Sequence, residues 1–137
     1  MGGVQLSGYE VRLAQSGDLE ACNSLCRAVH GFDRSLEVAE AIDQKAVKVV
    51  EHLSRIVGYS TGMGFFSHAV SETNESLKAL IGAAESFEGI GFVVPMRNYD
   101  VLSWCLGHGL RMTIQGTLMS IGFYNEPCGS YLPSSSY

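Results

Sequence analysis

The sequence predicts an α+β domain with a mixed central sheet and helices on both faces. Three observations carry that reading. β-prone and helix-period runs interleave along the chain, the β-prone runs are short and punctuated by Gly, Pro or polar residues, and 137 residues suffice to bury one core. The chain therefore reads as a single domain over 1–137, with 1–7 as a flexible N-terminus and 125–137 as a C-terminal extension ending in YLPSSSY.

Residues 9–14 alternate as a strand. In SGDLE, Ser16 is placed to cap a helix whose first turn holds acids, and that helix runs to about His30 and stops at Gly31. Asp33 can cap a second helix, with Leu36, Ala39 and Ile42 on one face up to about Gln44. Residues 46–51 form a β-rich run and HLSR a polar connection. Residues 56–70 form a further β-prone stretch interrupted by Gly58, Gly62 and Gly64, where a bulge, a turn or a close backbone approach is expected.

Residues 72–84 are helical, with Leu77, Leu80 and Ile81 inward. Phe92, Val93 and Val94 read as a buried strand end, and Pro95, which cannot donate to a ladder, stops it. Asn98 then caps a helix whose apolar face is Val101, Leu102, Trp104, Cys105 and Leu106. Gly107 and Gly109 are its terminators, the second in a left-handed conformation. Two final β runs, 110–115 and 117–124, join through Gly116.

The formal net charge of -5 and the single, scattered placement of nine Lys and Arg argue against a nucleic-acid surface. No apolar run approaches the ~20 residues of a membrane helix, and the N-terminus lacks the layout of a secretory signal, so a cytoplasmic protein without membrane contact is expected. Met1-Gly2-Gly3 is no myristoylation signal, because Leu6 stands where Ser or Thr is required. Charged residues make up 17% and hydrophobic residues 46% of the chain, which leaves apolar surface for a partner.

The four Cys read as free thiols. Cys22, Cys26 and His30 share one helix face and could form a soft-metal patch. Leu19, Cys22, Leu25, Cys26 and Val29 also form an ordinary buried stripe, which is the simpler reading, so no metal is expected.

The element order, β-α-α-β-β-(β)-α-β-α-β-β, together with FVVPMRN and WCLGHGLR, resembles the GNAT superfamily of acyl-CoA-dependent N-acetyltransferases. The segments GYSTGMGFFSHAVSETNESLKALIGAA and TLMSIGFYNEPCGSYLPS are similar to the C-terminal half of bacterial proteins with two tandem GNAT-type domains. The resemblance runs from Val11 onward. It implies a GNAT-like fold, with Asn98 at the family's Asn and Gly109-Leu110 at its Gly-Phe.

The family holds the pyrophosphate of coenzyme A on a Gly-rich, basic turn at a helix N-terminus. The matching turn here, VSETNESLK, has no glycine and carries Glu72 and Glu75. Acetyl-CoA binding is therefore expected to be degenerate or absent, with Ser71, Thr73 and Asn98 as the residues left to contact it. Cys105 occupies the position of the family's general-acid Tyr. His68 lies near where the family's strands splay and could act as a base. A packed Cys105 and a structural His68 are the plainer readings.

Phe65, Phe66, Tyr59 and Met63 could line a ligand pocket, and no Ser-His-Asp grouping or Walker loop stands out. Two functions follow from the resemblance: a non-catalytic module for a small ligand or a partner domain, and an acyl-CoA-dependent N-acyltransferase acting on a small amine. The expected partner is a second copy in a homodimer, anchored by Phe123, Tyr124, Tyr131 and Leu132, or a second GNAT-like domain.

Overall fold

The computed structural model describes residues 3–32, 34–87, 89–116, 127 and 129–134. It is an α+β domain whose sheet separates two helical layers. The strands are β1 (Glu10–Leu13), β2 (Lys48–His52), β3 (Arg55–Ser60), β4 (Ala69–Ser71) and β5 (Ser130–Leu132). They pair in the order β1-β2-β3-β4-β5, each neighbour antiparallel. The expected mixed sheet is thus corrected to a purely antiparallel one among the described strands.

Helices α1 (Leu19–His30) and α2 (Ser35–Asp43) cover one face of the sheet, α3 (Asn74–Ala83) and α4 (Tyr99–Gly107) the other. Strand alternation divides the core accordingly. Val49, Tyr59 and Val70 pack with Cys22, Cys26, Val38 and Ile42, while Val50, Ala69 and Leu132 pack with Leu77, Ile81, Val101 and Cys105.

Ser16 does not cap α1: it opens a 3₁₀ turn (Ser16–Asp18) that leads into the helix and has Gln15 as its N-cap. The Asp18 carboxylate closes that turn's capping box by accepting the Gln15 N–H at 2.8 Å, and it takes both guanidinium nitrogens of Arg12, at 2.8 and 3.1 Å. Gly31, at φ +82°, ends α1 as expected. In α2 the inward residues are Val38 and Ile42, and Leu36 is 87% exposed, which corrects the face assigned to that helix. Asp33 lies outside the described residues.

The β2–β3 turn is made by Leu53 and Ser54, both at positive φ (+54° and +63°), as a tight two-residue hairpin of the strand's own twist demands. Pairing runs Val50 to Gly58 and then Glu51 to Ile56, leaving Val57 as the extra residue of a bulge. Gly58 has no room for a side chain, since a Cβ there would lie 2.8 Å from Ser71 Cβ and 2.9 Å from Val50 Cγ1.

Residues 91–95 form no strand, contrary to expectation, and 110–116 are irregular too. Phe92 packs on Phe87 at 5.3 Å, with Val94 against the α3/α4 core, and neither pairs with a described strand. Residues 111–116 are all exposed, so no buried face holds a strand there. The expected strand 117–124 lies outside the described residues. Helix α4 ends as predicted: Gly109 at φ +91°, with Leu110 N–H on the Cys105 carbonyl and Gly109 N–H on that of Leu106, makes a Schellman motif.

Described residues of both terminal segments join the fold. Val4 N–H bonds the Gly82 carbonyl at 3.1 Å and Leu6 packs on the α3 core, within the segment read as flexible. Residues 130–132, within the segment read as an extension, supply β5. Among the described residues no helix is long and apolar enough to cross a membrane.

Candidate functional site

The residues singled out by the sequence fall into two groups on opposite faces of the sheet. The first lies at the N-terminus of α3. Thr73 caps that helix, its Oγ1 accepting Ser76 N–H while Ser76 Oγ accepts Thr73 N–H, each at 3.3 Å. Ser71 Oγ donates to the Thr73 carbonyl at 2.8 Å. Asn98 caps α4 through Oδ1 to Val101 N–H at 3.3 Å and sends its Nδ2 to Asn74 Oδ1 at 2.9 Å. Ser71, Thr73 and Asn98 therefore lie in one network of cap hydrogen bonds around Asn74.

The groups that would meet a phosphate there are already used. Asn74 Oδ1 also accepts Ser130 Oγ–H at 2.7 Å, and Asn74 Nδ2 donates to Asp100 at 3.2 Å. Lys78 gives its ammonium to Glu75 at 3.0 Å and Asp100 at 2.9 Å. Burial would lower the Lys78 pKa, but the bonds to Asp100 and Glu75 outweigh it and hold the ammonium above its ordinary value. The Lys78 bond in turn draws the Asp100 carboxyl below its ordinary range. Glu72 is bound by Arg55 at 2.6 Å. A pyrophosphate placed there would meet three carboxylates, a capped helix end and a committed lysine.

Cys105 sits on the α3/α4 face, 4% exposed in the core. Burial pushes its thiol up to about 11, with Lys78 pulling weakly the other way. His68, by contrast, lies on the α1/α2 face, 1% exposed, with Nε2 2.9 Å from Tyr59 Oη and Nδ1 3.5 Å from both Thr61 Oγ1 and Glu37 Oε1. Burial, then Arg34 and His30, pull its pKa down to about 3. The sheet stands between the two residues read as acid and base. Neither can pass a proton directly to the other.

Around His68 four elements converge. His30 comes from the end of α1, Arg34 and Glu37 from the N-cap and first turn of α2, Tyr59 from β3 and Thr61 from the β3–β4 loop. Burial raises the Tyr59 phenol well above its ordinary value, so it stays protonated and can donate to a neutral His68 Nε2. Sequence reading missed Arg34, Glu37 and Thr61 here, and Asn74, Asp100 and Ser130 at the other site. A Ser-x-Thr-Asn run at a helix start was the one local signal for the latter. Of the proposed pocket residues, Tyr59 and Met63 are buried, whereas Phe65 and Phe66 stand on the surface against each other.

Cys22, Cys26 and Cys105 are free and buried, and burial raises the Cys22 thiol to about 12. No group of three His, Cys, Asp or Glu able to hold a metal occurs among the described residues. No family model, curated protein or solved structure matches the chain.

Proposed function

We propose that the chain is a GNAT-like domain that works by binding rather than by acyl transfer, its acetyl-CoA site degenerate and part of its α4 side covered by a second copy or a second GNAT-like domain. The observation that carries this reading is the α3 N-terminus, where the cap, the Asn74 network and Glu72, Glu75 and Asp100 leave no anion seat. The element order through α3, β-α-α-β-β-β-α, and the cap at Asn98 support the GNAT-like assignment.

Partner binding is supported by the exposed Ile90, Met96, Tyr99, Leu106, Met112 and Ile114, gathered on α4 and its flanking segments. Of the anchors named for a dimer, Leu132 is only 2% exposed in its own sheet, Tyr131 packs on His30, and Phe123 and Tyr124 lie outside the described residues. The α4 side is accordingly the better contact. A small-amine N-acyltransferase is the alternative, favoured by Asn98 and Gly109 standing where the resemblance implies.

Light scattering on the protein at micromolar concentration, beside a Tyr99→Glu/Ile114→Glu variant, tests the contact. A dimeric mass that the variant halves is expected of self-association through α4. A melting temperature that climbs with acetyl-CoA at sub-millimolar concentration would overturn the non-catalytic reading.

A further inference from the structure

Strand β1 closes one end of the sheet, with β2 as its one partner among the described strands. Ala14 N–H bonds the Val47 carbonyl at 2.9 Å, so antiparallel alternation turns the backbone groups of Arg12 and Glu10 toward β2 and those of Val11 and Leu13 outward. The Leu13 carbonyl accepts Arg12 Nη1 at 3.2 Å. Val11 N–H, Val11 C=O and Leu13 N–H have no partner among the described residues, and Leu13 is 45% exposed, so the edge meets solvent.

Charge adds a second observation. The register sets Glu10 directly opposite Glu51 on one face of the sheet, where like charges repel. Arg12 gives its guanidinium to Asp18 at 2.8 and 3.1 Å and reaches Glu51 only at 3.5 Å, while Glu10 has no described partner. Lys48, opposite Leu13, and His52, stacked on Tyr9, stand on the other face, and Arg55 is held by Glu72. On this face β1, β2 and the 3₁₀ turn thus set Glu10, Glu51 and Asp18 against Arg12 alone. Glu10 and Glu51 also line a cleft of about 600 Å³ at the start of β1, together with Leu6, Tyr9 and Leu53.

We propose that the open edge of β1 is a docking site for an extended segment of a partner protein that alternates apolar and basic residues and joins the sheet as an antiparallel strand. The segment's residue opposite Val11 exchanges two backbone bonds with it, and the carbonyl two residues earlier takes the Leu13 N–H. The next residue along stands opposite Glu10, where a Lys or Arg meets that carboxylate and reaches into the cleft toward Glu51. Its apolar neighbours lie beside Val11 and Tyr9 on the other face. A second copy of β1 fits the edge poorly: it brings its own Glu10, Asp18 and Glu51, with an Arg12 already bound to Asp18, and doubles the surplus of negative charge. A free amine would meet the carboxylates but leave the open backbone groups unused.

The proposal goes beyond the reading of the α3 N-terminus and does not rest on it, since Ser71 and Ser130 there belong to β4 and β5, at the other end of the sheet. The peptide acetyl-Val-Thr-Val-Lys-Val-amide and a twin with Glu for Lys are titrated into the whole protein while the backbone amide resonances of Val11 and Leu13 are followed. Saturable movement of both amides is expected with the Lys peptide, at an affinity about 5-fold above that of its twin. Leu13→Pro removes an outward donor and no ladder bond, and should weaken binding of the Lys peptide. Glu10→Lys, at an exposed position, should invert the preference between the peptides. No binding, equal affinities, binding that leaves the two amides unmoved, or an unchanged preference in Glu10→Lys would each overturn the proposal. Movement of the same amides on raising the protein concentration alone would also overturn it, by giving the edge to a second copy.

Discussion

Tyr59 and His68 meet across the β3–β4 hairpin with Oη 2.9 Å from Nε2 and the two rings perpendicular, both shut off from solvent. The bond satisfies two polar groups that burial would otherwise penalise. Tyr59→Phe keeps the ring and leaves Nε2 without its donor, and should cost about 1–3 kcal/mol in urea unfolding. A loss below the experimental error would show that the bond carries no net stability.

The same pair sets a pH dependence. The unfolded chain takes up a proton on His68 near 6.5, whereas the folded protein holds the imidazole neutral down to about 3. The unfolded state therefore binds more protons between those values. The contribution is fully present above about pH 6.5 and falls away as pH drops, by about 1.4 kcal/mol per pH unit for the one group. His30, whose pKa burial also lowers, acts in the same direction. Unfolding free energies at about pH 7 and about pH 5 should show the decline, and His68→Gln should flatten it.

Gly58 of β3 stands between Val50 of β2 and Ser71 of β4 with no room for a side chain. Gly58→Ala would drive a methyl into Ser71 Cβ and Val50 Cγ1, and is expected to destabilise by about 1–3 kcal/mol. Thermal melting that leaves the variant level with the parent would show that the bulge yields freely.

The β2–β3 turn can be improved. Leu53 and Ser54 hold left-handed backbone without the side chains suited to it, and Leu53 is 85% exposed. Replacing the pair by Asn-Gly should raise stability by about 1 kcal/mol, read as a higher denaturation midpoint at unchanged slope.

What was legible in the sequence is what local chemistry decides. Gly31 and Gly109 end helices because only glycine takes the left-handed cap cheaply, and Leu77, Leu80 and Ile81 keep a helical period that fixes the α3 face. What was not legible depends on distant competition. Phe92–Val94 has the local marks of a strand but packs as an irregular segment on the α3/α4 core, whereas Ser130–Leu132, too short and polar to signal pairing, forms β5 beside β4. On α2, Leu36 and Val38 are equally apolar, and the docking against α1 and the sheet selects Val38. The candidate-site residues divided similarly: Ser71, Thr73 and Asn98 do gather, while the cluster at His68 draws on α1, α2, β3 and a loop, with no spacing in the chain to announce it.

The α3 N-terminus is occupied by its own cap and ringed by Glu72, Glu75 and Asp100, which is the basis for proposing that it gives a coenzyme A pyrophosphate no seat. Calorimetric titration of the protein with acetyl-CoA decides the matter: no saturable heat at sub-millimolar ligand is expected, and a one-site isotherm with a dissociation constant in the micromolar range would contradict the proposal.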